Sequence, residues 1–175
     1  MKKGHVAELI IDSILLLIGL ILSMFSNYES PLLICFLSLF ICSVLETIEY
    51  IFNRDKNEAL FMSLALLIGT IIIVFIKGRP AFSLAISFLL LTVLSLIIKV
   101  YSLKYIKAER VRLLWFRYII ISIFTILGIL TSVATYYEMF SKIYLLSLFL
   151  SCFGLQELFC DVLIYIDEVK NVFKR

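Results

Sequence analysis

Six carboxylates lie inside long apolar stretches of this 175-residue chain, and they come in three pairs. The pairs are Glu8 with Asp12, Glu46 with Glu49, and Glu157 with Asp161. Spacings of three or four residues put both members of a pair on one face of a helix. A carboxylate inside an apolar helix costs free energy unless it meets a proton, a cation or a basic side chain. Proton or cation binding is therefore the first chemistry that this sequence offers.

Two interpretations of these carboxylates stay open. In the first, an acidic cup opens toward the cytoplasm and binds protons or a cation, and its members are Asp12, Glu46, Glu49, Glu157 and Asp161. In the second, the carboxylates form ion pairs with basic side chains of other spans, and the candidate partners are Lys99, Arg112 and Arg117. Each pair continues along its helix as a stripe of small or polar residues, which favours packing against another helix. In the last apolar stretch the stripe consists of Ser147, Ser151 and Gly154, followed by Glu157 and Asp161.

The sequence gives no support to other catalytic or metal chemistry. Its only histidine, His5, lies in the N-terminal tail, which excludes a two-histidine zinc site and a histidine-dependent protease site within a span. No glycine-rich phosphate loop occurs. The cysteines form no Cys-x-x-Cys pair and are expected to behave as small apolar residues; they are Cys35, Cys42, Cys152 and Cys160. We expect no enzymatic activity, no cofactor, no resident metal and no disulfide.

The elements that carry these residues are predicted to be membrane-spanning helices. Apolar residues make up 63% of the chain and charged residues 17%, against about half and a quarter in soluble domains. Runs of about 20 residues, long enough to cross hydrocarbon, cover residues 6–26, 31–52, 59–77, 81–101, 113–134 and 140–165. Lipid satisfies no backbone hydrogen bond, so each run must be helical. The predicted fold class is all-α, a single membrane domain with six transmembrane helices over residues 1–175.

The charges between the runs predict the orientation. With the N-terminus in the cytoplasm, 13 of the 16 Lys and Arg residues fall on the cytoplasmic side, as the positive-inside rule requires. Both termini are then cytoplasmic, and the basic segment 102–112 is an inside linker. The predicted partner is the lipid bilayer, with a second copy of the chain or another membrane protein as alternatives. Nothing indicates binding to nucleic acid, because the basic residues lie between spans.

A seven-residue pattern, Ser-(Ile/Leu)-x-x-(Leu/Ile)-(Ile/Leu)-Gly, recurs in the first, third and fifth runs, at residues 13–19, 63–69 and 122–128. Shifting residues 10–50 by 109 positions aligns them without a gap, and 13 of the 41 positions are identical. The chain is therefore predicted to contain three repeated helical hairpins, at about 6–52, 59–101 and 113–165. Because each hairpin crosses the membrane twice, all three enter from the same side, which predicts a rotation axis along the membrane normal.

Three short hairpins with a late glycine in each first helix (Gly19, Gly69 and Gly128) resemble the HdeD-like family of bacterial membrane proteins. The resemblance covers nearly the whole chain. It implies a six-helix inner-membrane protein with a stress-related or structural role, linked in some relatives to acid resistance, and it implies no catalytic residue. The family often has a glycine early in each second helix, where this chain offers only Gly154.

Two other functions stay open from the sequence. The first is a small transporter, a proton or cation pathway, or a substrate-binding subunit, each of which would use the acidic cup. The second is an accessory or immunity-type protein that binds another membrane protein.

Overall fold

The computed structural model describes residues 3–24, 31–52, 57–76, 78–103 and 111–172. They form six α-helices, which are α1 (Lys3–Ser23), α2 (Pro31–Phe52), α3 (Asn57–Phe75), α4 (Pro80–Leu103), α5 (Val111–Tyr136) and α6 (Lys142–Val172). Each helix overlaps one predicted run. The largest difference is at the end of α6, which continues past residue 165. The segment 104–110, most of the predicted inside linker, lies outside the described residues.

Five of these helices, α2 to α6, are long and apolar enough to cross a membrane. Their outward faces carry large apolar side chains, such as Ile126 and Leu130 on α5, each more than half exposed. Apolar surface on this scale is expected against lipid rather than water. The chain is therefore an all-helical, multi-pass membrane protein.

The helices pack in a closed ring that follows chain order. Each helix contacts the next one along the chain, and α6 closes the ring against α1 in the most extensive contact of the bundle. α6 also contacts α2 and α4 across the ring. Its side chains fill much of the interior: Phe149 stacks on Phe88 of α4 with ring centroids 4.6 Å apart, and Leu146 and Leu150 are fully buried.

Small residues let α1 and α6 approach closely. A Cβ built on Gly154 would lie 2.6 Å from the backbone nitrogen of Leu16, and one on Gly19 would lie 2.5 Å from the backbone nitrogen of Ser151. The Ser147 hydroxyl donates to the Gly19 carbonyl oxygen at 2.8 Å. Ser147, Ser151 and Gly154 of the predicted small-residue stripe thus supply the contact surface for α1.

α5 ends in a Schellman motif. The Met139 amide donates to the Ala134 carbonyl at 3.0 Å, and the Glu138 amide donates to the Thr135 carbonyl at 3.2 Å. Glu138 has a φ of 51°, in the left-handed region that favours glycine. A side chain there costs about 1 kcal/mol, so a glycine at this position would relieve the backbone strain.

Candidate functional site

Lys99 lies four residues before the end of α4, and its side chain is only 2% exposed. Its ammonium nitrogen is 2.5 Å from Oε1 of Glu58 at the start of α3. The same nitrogen donates to Oε2 of Glu157 on α6 and forms an ion pair with it. One buried cation therefore joins three helices, and burial of this kind requires such compensation.

Glu46 on α2 lies among other acidic side chains. Its carboxylate interacts electrostatically with Glu157, Glu49 and Asp12, and with Lys99. All four carboxylates are buried. Oε1 of Glu46 has no hydrogen-bond partner among the described residues. Because charges repel strongly in a low-dielectric interior, this group is stable only together with protons, cations or basic side chains.

α5 contributes a second base, Arg117, which is also buried. Its side chain hydrogen-bonds to the Cys160 side chain on α6, and that cysteine interacts electrostatically with Lys99 and Glu157 as well. Nε of Arg117 has no hydrogen-bond partner within the described part of the chain. The guanidinium group therefore reaches the same cysteine that interacts with Lys99 and Glu157, and its Nε keeps hydrogen-bonding capacity.

We call this arrangement the charge layer, and every helix contributes to it. Its members are Asp12, Glu46, Glu49, Glu58, Lys99, Arg117 and Glu157. Glu8, one turn before Asp12 and equally buried, extends the layer along α1. The members of the layer on α2 to α5 lie in the helix portions nearest the α2–α3 and α4–α5 connections, whereas Asp12 and Glu157 lie near the middle of α1 and α6. Among these side chains carboxylates outnumber basic groups.

Four of the five residues predicted for the acidic cup belong to the charge layer. The side chain of the fifth, Asp161, lies outside the described residues. Of the three predicted basic partners, Lys99 forms ion pairs, Arg117 contacts a cysteine, and the side chain of Arg112 is not described. The helices thus bring one predicted acid of α1, two of α2 and one of α6 within electrostatic range of one another, and the acid of α6 pairs with the predicted base of α4.

Sequence reasoning missed Glu58. The third span was drawn from residue 59, which left Glu58 as an ordinary acid at a helix N-terminus, where carboxylates are common. No spacing within α3 marks it as a buried partner, because Lys99 lies on a different helix.

A second polar contact between α2 and α3 also escaped the sequence analysis. The hydroxyls of Ser63 and Thr47 lie 2.7 Å apart, and Ser43 donates to the Ser63 carbonyl at 3.0 Å. Ser43 and Thr47 lie within one turn of Glu46 along α2. Polar contacts therefore continue from the charge layer along this helix pair.

The chemistry that the charge layer offers is proton exchange and ion pairing. Within the described residues, no group of three or more His, Cys, Asp or Glu side chains could hold a metal ion. No family model matches the chain, and neither a curated protein nor a solved structure matches it. The function is therefore inferred from the side chains of the charge layer alone.

Proposed function

We propose that the chain is a bacterial inner-membrane protein of the HdeD-like type, with six spans, cytoplasmic termini and a stress-related or structural role without turnover. The observation that carries this proposal is the engagement of Lys99 by two carboxylates from two other helices. An ammonium group buried and paired in this way joins helices, whereas a catalytic or transport site needs groups that meet a ligand.

α1 is the sixth span of this proposal. Its 21 residues correspond to about 30 Å of helix, the thickness of the hydrocarbon core. Leu17, Leu20 and Ile21 are about half exposed, as lipid-facing side chains are, whereas Glu8 and Asp12 are buried. A helix that is apolar outside and acidic inside fits a span that completes the ring.

The proposed three-hairpin repeat is supported by two equivalent contacts. The 59 positions that separate Gly69 from Gly128 also separate Thr92 from Ser151. Gly19 contacts Ser151 of the last hairpin, and Gly128 contacts Thr92 of the middle hairpin. Thr92 and Ser151 are therefore equivalent positions of the middle and last hairpins. In two of the three hairpins the repeat glycine meets this position of the hairpin that comes before it around the ring, where the last hairpin comes before the first. Gly69 departs from this pattern, because Leu91 of its own hairpin is the side chain nearest to it.

A Lys99→Met variant tests the structural role. Removing the base leaves the buried Glu157 and the partly buried Glu58 without it, so we expect the free energy of unfolding in detergent micelles to fall by about 3 kcal/mol, the lower end of the range for a broken buried pair. A matched control is Lys142→Met, because Lys142 pairs with Glu138 at 3.7 Å near the surface and should contribute less than about 1 kcal/mol. Equal stability of the two variants would contradict a structural role for the charge layer.

A second candidate function is a proton or cation pathway, and the position of Glu46 favours it. A buried carboxylate that lies beside three others, with one oxygen that has no hydrogen-bond partner in the described part of the chain, is suited to taking up and releasing a proton. The double variant Glu46→Gln, Glu157→Gln should then abolish proton flux into liposomes that contain the purified protein. Glu138→Gln, in the exposed turn after α5, is the control and should retain the flux. If the unaltered protein moves neither protons nor cations, this candidate is wrong.

A further inference from the structure

A small cleft lies between α4, α5 and α6 and provides a volume of about 20 Å³ to a water-sized molecule. Its polar wall is formed by Thr92, Ser95, Thr125, Cys152 and Gln156, and the other walls are aromatic or aliphatic. Ser95 precedes Lys99 by one helical turn, and Gln156 adjoins Glu157. The cleft therefore lies beside the Lys99–Glu157 ion pair, on the side of the membrane centre.

Ser95 differs from neighbouring hydroxyl residues in its hydrogen bonding. Ser87, Thr92 and Thr125 each donate to the carbonyl four residues earlier in their own helix, at 2.8, 2.7 and 2.7 Å. The Ser95 hydroxyl is buried and has no hydrogen-bond partner in the described part of the chain. Buried polar atoms are nearly always satisfied by protein or by ordered water, so a partner is expected from within the cleft.

Gln156 brings a second polar group to the same place. Its side chain is buried on α6 and lines the cleft opposite Ser95 of α4. A primary amide carries two donor hydrogens and an acceptor oxygen. The hydroxyls of Thr92 and Thr125 use their hydrogens within their own helices, but their oxygens can still accept.

We propose that this cleft binds a water molecule between Ser95 and Gln156, within the membrane-spanning part of the bundle. The volume suffices, because a bound water needs about 10–15 Å³ measured in this way. The partners suffice as well, because a buried water makes two to four hydrogen bonds. Donors and acceptors are offered by Ser95 and Gln156, and acceptors by the two threonines of the cleft. A wholly apolar cleft of this size would stay dry.

The bound water extends the polar contacts of the charge layer toward the membrane centre. Polar residues follow one another at intervals of three or four positions from Lys99 through Ser95 to Thr92 on α4. On α6 they run from Cys160 through Gln156 to Cys152. A water between these two rows can accept and donate a proton one turn from the Lys99–Glu157 pair. This inference does not depend on the proposed function, because a purely structural layer would border the same water.

Radiolytic labelling tests the inference on the intact protein in lipid nanodiscs. X-ray irradiation turns bound water into hydroxyl radicals, which oxidise adjacent side chains, and mass spectrometry reads the modification of each cysteine. Cys152 lines the cleft and is itself partly exposed, whereas Cys35 and Cys42 are fully buried elsewhere. The two buried cysteines give the background rate, and the variant pair described next separates the bound water from exposure of Cys152. We expect Cys152 to be oxidised at least about fivefold faster than either control, since it lines a cleft that meets the requirements for a bound water and the two controls do not line it.

A variant pair locates the water. Ser95→Ala combined with Gln156→Leu should lower the oxidation rate of Cys152 by about fivefold or more, because an apolar cleft stays dry. Ser87→Ala is the matched control, because Ser87 lies on the same helix and contacts α3 instead. It should leave the rate at Cys152 unchanged.

The inference is overturned if Cys152 in the unaltered protein reacts no faster than Cys35 and Cys42. It is equally overturned if the double variant folds and keeps the parent rate at Cys152. The first comparison needs no substitution, so it stands even if the double variant fails to fold.

Discussion

Replacing Gly154 by alanine perturbs the close crossing of α1 and α6. The added Cβ would lie 2.6 Å from the nitrogen and 2.9 Å from the Cα of Leu16. Both are backbone atoms of α1 and have no rotamer by which to move away. Since ordinary contacts between such atoms are about 3.5–4.0 Å, α1 and α6 must separate by about 1 Å.

The structure gives the expected size of this effect. Separation of packed surfaces by 0.5–1 Å forfeits about a quarter to a half of each van der Waals contact. Overpacking of this kind costs about 1–3 kcal/mol, which outweighs the roughly 1 kcal/mol that alanine gains over glycine in helix propensity. The Ser147–Gly19 hydrogen bond spans the same crossing and would lengthen as well. We therefore expect Gly154→Ala to be less stable than the parent.

Gly69→Ala is the matched control for this prediction. Its Cβ would lie 3.3 Å from Cδ1 of Leu91, the end of a flexible side chain that can shift by a few tenths of an ångström. We expect its stability to stay within about 1 kcal/mol of the parent, with helix propensity favouring alanine. Denaturant unfolding in mixed micelles, followed by circular dichroism, measures both. If Gly154→Ala proves as stable as Gly69→Ala, the close crossing of α1 and α6 is wrong.

Three further predictions concern other parts of the chain. Ser63→Ala removes the contacts with α2 and should lower the free energy of unfolding by about 0.6–1.7 kcal/mol, whereas Ser122→Ala, at the matching position of the repeat but exposed, should be neutral. Glu138→Gly relieves the positive φ and should raise the unfolding free energy by about 1 kcal/mol, whereas Glu138→Ala should not. A cytoplasmic reporter fused after Arg175 should be active, and activity of a periplasmic alkaline-phosphatase fusion at that point would contradict the predicted topology.

The periodicity of small and acidic residues predicted much of the candidate site. The stripe of Ser147, Ser151 and Gly154 indicated a packed face of α6, and the structure lays this face against α1. A stripe shows which face of a helix is packed, because small and polar side chains are costly against lipid and favourable against another helix. It does not show which helix covers that face. The α1–α6 pairing joins residues more than 120 positions apart, and no local pattern encodes it.

The seven-residue pattern likewise predicts a feature of each helix but not the neighbour that the helix meets. Its three glycines all lie at helix crossings, whereas its three serines differ in environment: Ser63 is buried in a hydrogen-bonded contact, Ser13 is partly buried and Ser122 is exposed. A glycine permits close approach wherever a neighbouring helix crosses it. A serine hydroxyl can instead be satisfied by its own helix, as Ser13 is by the Leu9 carbonyl at 2.7 Å, so its presence does not fix its neighbours.

The sequence by itself determined that the chain is helical and spans a membrane. Apolar runs of this length match the thickness of the hydrocarbon core, and in lipid their backbone hydrogen bonds can be satisfied only within helices. It also determined which faces carry acids, because the helical period is local. Only the tertiary structure decided that Lys99 reaches Glu58 and Glu157, and that Arg117 reaches Cys160. The reason is physical: charge pairing depends on atoms within a few ångströms in space, and helices distant along the chain are brought to that range only by the packing of the whole bundle.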